Sequence, residues 1–323
     1  MQVTFDHWPY PRWLAHRGAG TLAPENTLSA FRLGASHGYR MFECDVKLSA
    51  DGVPFLMHDD TLVRTTNARE RLGAGQSAVG GDHPWGDLAQ LDAGSWHSRA
   101  YAGEPLPTLD NMARFCQRNG LYLNIEIKPT PGTESKTGEV VANEAARLWH
   151  GIDVPPLLTS FKPDALQAAQ AAQPQLPRGL LLDTLWTGWL ETALRLDCVA
   201  IVCNHALWDS ASVAQAQSAG FRTLSYTVND EWAARRLIDL GTDGIITDRV
   251  DLFAPGTTYF GLNKKRFSFH CQIDRRLGAK PQTVQMHGKA KQPQILLTGS
   301  WNQAFPPRSM AHWLVAQAKV ITA

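Results

Sequence analysis

Eight apolar runs of strand length recur along the 323-residue chain, most of them separated by enough residues for a helix, and this alternation limits the fold more than any other feature. The runs are WLAHR (13–17), MFECDV (41–46), LYLNIEIK (121–128), PLLTSF (156–161), GLLLD (179–183), VAIVCN (199–204), TLSYTV (223–228) and GIITD (244–248). Between them, 26–38, 108–120, 134–151, 162–173, 210–220 and 230–241 place apolar residues at helical spacing. Several of these segments open on Asn, Asp or Ser and several stop at Gly. Strands alternating with helical crossovers predict an α/β chain with a parallel sheet, and eight of them predict a (β/α)8 TIM barrel. A doubly wound open sheet is the alternative. A ninth run, VPFLMHD (53–59), follows MFECDV after only the short polar link KLSADG, too few residues for a parallel crossover, so it is read as the return arm of a hairpin. Residues 60–107 carry Gly, Asp, Arg and Pro without a regular period and are read as a small insertion between the His58 segment and the Glu126 strand, facing substrate.

Charged residues inside apolar strands are costly unless paired or bound, and here they gather in four short segments. His16 and Arg17 end the first strand, Glu43 and Asp45 the second, His58 and Asp59 the hairpin arm, and Glu126 and Lys128 the third. In a barrel the carboxyl ends of the strands meet at one face, so the four segments converge. A period of two puts Glu43 and Asp45 on one side with Cys44 on the other, and groups Glu126 with Lys128 away from Ile125 and Ile127. Three inward carboxylates at one height repel without a cation and suit a hard divalent ion, Mg²⁺ or Ca²⁺. Two histidines beside such an ion titrate in the range useful for acid and base catalysis. Arg17 and Lys128 can hold an anionic, phosphate-like group.

These segments, AHRGAGTLAPENTLSAF (15–31), ECDVKLSADGVPFLMHDDTLVRT (43–65), NIEIKP (124–129), TSF (159–161), YTVND (226–230) and GIITD, resemble the glycerophosphodiester phosphodiesterase family, its cytoplasmic bacterial members most closely. WPYPR (8–12), DAGSW (92–96) and LPRGLLLD (176–183) extend the resemblance over residues 8–255. It implies a barrel that hydrolyses glycerophosphodiesters such as glycerophosphocholine and glycerophosphoethanolamine to sn-glycerol 3-phosphate and an alcohol. It further implies a divalent metal held by Glu43, Asp45 and Glu126, His16 and His58 as the acid–base pair, and phosphate contacts from Arg17 and Lys128. Glu25 and Asn26 fall in the family's PEN motif near the metal, although Asn26 also suits the N-cap of the next helix. Tyr226 stands where the family often has Trp, in a substrate-contact or packing role.

Other residues carry less. His205 reads as a packed or solvated strand-end histidine, while Trp96 and PLPTL (105–109) read either as contacts to the alcohol group or, for Trp96, as core. Five scattered cysteines without a CxxC pair argue against a disulfide framework and a structural zinc site, which suits a reducing cytoplasm. No apolar stretch has the roughly 18 residues of a membrane span. Composition changes near Gly256. Residues 257–323 hold ten Lys or Arg against one acid, Asp274, a local charge of +9, and the whole-chain +1 therefore leaves −8 on residues 1–256. That body is a barrel domain without the basic face expected of a nucleic-acid binder, and the tail reads as an appended, weakly ordered segment. Two other functions fit the motifs: a lysophospholipase D, which needs an apolar channel for an acyl chain, and a binding protein that has lost turnover.

Overall fold

The computed structural model describes residues 7–256, so the tail expected over 257–323 lies outside the described residues. Nine strands form, β1 (Trp13–Ala15), β2 (Met41–Leu48), β3 (Pro54–Leu56), β4 (Tyr122–Ile127), β5 (Leu157–Ser160), β6 (Arg178–Leu182), β7 (Ala200–Asn204), β8 (Arg222–Tyr226) and β9 (Gly244–Thr247). All but β3 pair in parallel in the order β1-β9-β8-β7-β6-β5-β4-β2, and β1 closes on β2 through Leu14–Met41 and Ala15–Phe42. The result is a closed eight-stranded (β/α)8 barrel, which removes the open-sheet alternative. Helices α1 (Leu28–Ser36), α2 (Ala68–Arg71), α3 (Trp85–Leu88), α4 (Leu109–Arg118), α5 (Glu134–Leu148), α6 (Pro163–Ala172), α7 (Trp189–Arg195), α8 (Ser210–Ser218) and α9 (Glu231–Asp239) complete it.

The period of two sorts the side chains as expected. Leu14, Met41, Leu157, Leu181, Val202, Leu224 and Ile246 form one apolar cluster within the barrel. Their strand neighbours Ala15, Phe42, Leu158, Leu180, Leu182, Ile201, Cys203 and Ile245 join the larger core beneath the helices. The described cysteines, Cys44, Cys116, Cys198 and Cys203, are buried and unpaired, as small core residues are.

β3 is the antiparallel return arm that the short link demanded, with Val46 opposite Leu56, Lys47 opposite Phe55 and Leu48 opposite Pro54. Val46 also pairs with Ile127 of β4. The arm therefore occupies the flank of β2 that β1 occupies lower down, and it delivers His58 above the end of β1.

Two local readings change. The sequence offered no helix between β6 and β7, where the structure has α7; that helix is short and opens on Gly188 at φ 93° with no side-chain cap. Asn26 is not the N-cap of α1. Thr27 is, its Oγ1 accepting from the Ala30 N–H at 3.2 Å.

The insertion has a small core of its own, in which Phe55 and Met57 from the arm pack with Leu62, Ala68, Leu88, Leu91, Ala93 and Leu106. It is fastened to α1 by Glu104, which accepts from the Ser29 N–H at 2.9 Å and the Ser29 Oγ at 2.6 Å, satisfying donors at the helix N-terminus.

Candidate active site

Both histidines are held by their Nδ1 atoms. His16 follows β1, its N–H bonded to the Thr247 carbonyl at 2.9 Å, and its Nδ1 lies 2.6 Å from Asp248 Oδ1. Asp248 is fixed in turn by Asn229, whose Nδ2 donates to Oδ2 at 2.8 Å and whose Oδ1 accepts the Asp248 N–H at 2.9 Å. Burial pushes the Asp248 carboxyl up, but the bond and charge of His16, the bond from Asn229 and the charge of Arg17 together hold it below the usual range. His58 repeats the pattern, with Nδ1 2.8 Å from Asp59 Oδ1. An Nδ1–H donated to a carboxylate leaves Nε2 as the nitrogen available for proton transfer, and His16 Nε2 lies 3.7 Å from Glu43 Oε2. Burial and the positive charges of Arg17 and Lys128 hold the His58 ring below the ordinary histidine range, against the pull of Asp45 and Asp59.

Oxygens of Glu43, Asp45 and Glu126 lie within 4.8 Å of one another. Glu43 and Asp45 are 3% and 1% exposed. Glu43 Oε2 accepts the Arg17 N–H at 3.0 Å, while Oε1 is buried without a hydrogen-bond partner. Burial, then the charges of Asp45 and Glu126, push the Glu43 carboxyl well above its usual range, and burial with Asp45 raises Glu126 to about 7. Asp45 goes the other way. Burial opposes its charge, but Arg17, His58, Lys128 and the bond from Asn26 bring it down to about 2. Crowded buried carboxylates with a spare oxygen and only oxygen donors fit a hard divalent cation.

Around this triad the supporting residues are specific. Asn26 clasps Asp45 from both sides, donating from Nδ2 to Oδ2 at 2.8 Å and accepting the Asp45 N–H on Oδ1 at 3.1 Å. Arg17 and Asn26 both sit in the left-handed region, at φ 49° and 59°. Such backbone costs energy for most residues and gathers at functional sites. Gly20, at φ 56°, lies so close to Asp248 that a Cβ would fall 2.1 Å from its carbonyl oxygen. Lys128 Nζ reaches Glu126 Oε1 at 3.0 Å and Asp45 Oδ1 at 3.8 Å, and Arg17 Nη1 reaches Glu25 Oε1 at 2.9 Å.

This geometry agrees with what the chain is similar to. Residues 16–252 match the model of the "Glycerophosphoryl diester phosphodiesterase family". The chain belongs to that family. A glycerophosphodiester phosphodiesterase of Bacillus subtilis is 29% identical over 254 residues, covering 74% of this chain and 84% of the relative. Among solved structures, a phosphodiesterase from Oleispira antarctica, in complex with the product sn-glycerol-3-phosphate, is 34% identical with a TM-score of 0.66, covering 74% of this chain and 93% of that one. A glycerophosphodiester phosphodiesterase from Agrobacterium tumefaciens is 28% identical with a TM-score of 0.63, covering 76% and 99%. The chain is an enzyme of this hydrolase class.

Seen within the family, every residue singled out from the strand-end motifs reaches this one face, though not all in the same capacity. Glu25 is not part of the triad and instead bonds Arg17 and Arg64. Tyr226 spends its hydroxyl on the Leu182 carbonyl at 2.9 Å and stands edge-on to Phe161, which favours packing over substrate contact. Trp96 is 38% exposed, which excludes a core role. Sequence reasoning passed over Asp248 and Asn229, although GIITD ends on an acid in step with the inward Ile246. It also passed over Lys47, in step with Glu43 and Asp45, which is fully buried and donates to Asp60 at 2.6 Å and to the Lys128 carbonyl at 3.2 Å. Asp59, grouped with His58 among the strand-end charges but given no role, anchors the His58 ring, and Arg64 carried no periodic signal at all.

Proposed function

We propose that the enzyme hydrolyses small glycerophosphodiesters, glycerophosphocholine and glycerophosphoethanolamine among them, to sn-glycerol 3-phosphate and an alcohol, with His16 and His58 as the acid–base pair. The observation that carries this reading is the pair of imidazoles, each held at Nδ1 by its own carboxylate beside a buried carboxylate triad. Glu43, Asp45 and Glu126 would hold Mg²⁺ or Ca²⁺. When bound, such a cation would supply neutralisation of phosphate charge and a lowered pKa for a coordinated hydroxyl. Arg17 and Lys128 bind phosphate oxygens and orient the diester. One imidazole Nε2 takes the proton from the attacking hydroxyl, the 2-hydroxyl of the glycerol unit, and the other imidazole gives a proton to the departing alcohol oxygen. Water then opens the cyclic phosphate with the roles reversed.

Release of glycerol 3-phosphate from both diesters, abolished by chelator and restored by metal, tests the assignment; no product with any divalent ion sinks it. Unchanged turnover of a substrate lacking the 2-hydroxyl replaces the cyclic route with direct attack by water. A binding protein without turnover is disfavoured because both histidines are present and anchored. Among the described residues no helix is long and apolar enough to cross a membrane, which supports small diesters over a lysophospholipid. We place the enzyme in the cytoplasm, in keeping with the unpaired cysteines among the described residues. Residues 1–256 form the catalytic unit in this reading, and deletion of 257–323 leaves turnover unchanged.

A further inference from the structure

Arg64 links two of the groups given roles in the reading above, the His58 imidazole and the Arg17 guanidinium. Its guanidinium grips Asp59 along one edge, with Nε to Oδ2 at 2.6 Å and Nη2 to Oδ1 at 2.9 Å. Along the other edge it grips Glu25, with Nη1 to Oε2 at 2.8 Å and Nη2 to Oε1 at 2.7 Å. Four of the five N–H donors of the fork are thereby used. The two carboxylates lead on in opposite directions. Asp59 Oδ1 holds His58 Nδ1 at 2.8 Å, and Glu25 Oε1 holds Arg17 Nη1 at 2.9 Å. The chain of contacts runs His58–Asp59–Arg64–Glu25–Arg17 without a gap.

An ordinary surface ion pair contributes little and leaves both partners free to move. Arg64 is itself 43% exposed, but Glu25 is only 13% exposed, and each carboxylate accepts two bonds from the guanidinium, one at each oxygen. An Asp59 carboxylate fixed at both oxygens cannot rotate away from the imidazole, so the ring keeps Nδ1–H towards Asp59 and Nε2 towards substrate. Lysine, a single point donor, cannot grip two carboxylates edge-on. Lys47 adds a further tie, holding Asp60, two residues on from His58, to the end of β2 at 2.6 Å.

We propose that Arg64 is a positioning residue that sets the His58 imidazole and the Arg17 guanidinium in one frame, so that the proton-transfer group and the phosphate-binding group keep a fixed relation. This rests on the proposed roles of His58 and Arg17.

The test is kinetic and spectroscopic, on the full chain with Mg²⁺ and glycerophosphoethanolamine. Misplacing an anchored ligand or reacting group costs about 10- to 100-fold, so Asp59→Asn lowers kcat by about that factor with KM little changed. Glu25→Gln raises KM instead, and Arg64→Lys does both. In the double variant Asp59→Asn/Arg64→Lys, kcat is no lower than in Asp59→Asn alone. A merely structural loss lowers the active fraction and leaves KM where it was. Nitrogen-15 spectra of the histidine rings supply the second readout, with His58 losing its fixed Nδ1–H form in Arg64→Gln while His16 keeps its own. Unchanged kcat in Arg64→Lys, multiplicative effects in the double variant, or an unchanged His58 signal overturns the proposal. A wild-type enzyme that releases no product, yet loses the His58 signal in Arg64→Gln, overturns the catalytic reading and leaves the positioning role standing.

Discussion

The barrel is two different structures joined edge to edge. On the β1, β2 and β4 side, with the β3 arm, the inward positions near the carboxyl ends are His16, Glu43, Asp45, Lys47, Glu126 and Lys128. On the β5 to β8 side the inward positions include Leu157, Leu181, Val202 and Leu224, which share one apolar cluster with Leu14 and Met41 lower in the barrel, with Phe161 and Tyr226 packed against it. The apolar side stabilises by burial, at about 25 cal/mol per Å² of apolar surface. The charged side is built against stability: Glu43 is buried among like charges, and Arg17 and Asn26 hold left-handed backbone. One half supplies the free energy that lets the other remain poised.

If that division is right, the halves respond differently to the same kind of damage. The largest effects belong to the charged half, the histidines first. His16→Ala and His58→Ala each lower kcat by about 10² to 10⁴-fold, the usual worth of a positioned acid or base, with thermal midpoints close to wild type; a large fall in midpoint would show that the charged half holds the fold after all. Metal removal comes next. Chelation abolishes turnover and lowers the thermal midpoint, because a cation bound only to the native state stabilises it by mass action, by about 2.7 kcal/mol at 100 times Kd. Leu224→Ala, in contrast, destabilises by about 2–5 kcal/mol through its cavity, measured by denaturant titration, and leaves the metal requirement untouched.

The smallest effect is a slope. Glu126, raised to about 7 by burial and Asp45, binds more protons in the native than in the unfolded chain between about pH 4.3 and its raised value. The metal-free protein therefore loses stability as pH climbs through that window, and added Mg²⁺ flattens the slope. Asp45, lowered to about 2, acts with the opposite sign, its contribution being lost only as pH falls below about 4. A metal-free stability that rises from pH 5 to 7 would contradict the repulsion assigned to the triad.

Much of this was readable from the chain because strands impose a strict rule. A period of two gave the inward side of β2 and β4 and hence the triad, and the short KLSADG link gave the antiparallel arm. The same rule reached Lys47 and Asp248, but a lysine or aspartate at a strand end also reads as solvated, and only burial separates the two cases. Arg64 and Glu25 stand 39 positions apart in segments with no period, so nothing local announces that they meet. α7 escaped because it is short and opens without a side-chain cap. Asn26 was displaced from the cap by one residue because its amide has two bonds to make with Asp45.

The return arm has a consequence for how such an enzyme can diversify. His58 rides on β3, which is registered to β2 by three residue pairs and pinned just beyond by the Lys47–Asp60 contact. Residues from about 65 to the start of α4 pack on that root around their own small core and are tied back to the barrel by Glu104–Ser29, Trp85–Asp51 and His97–Thr21 contacts. Provided a replacement keeps the apolar plug against Phe55 and Met57 and a carboxylate for Ser29, the length and sequence of this segment can change while His58 stays where it is.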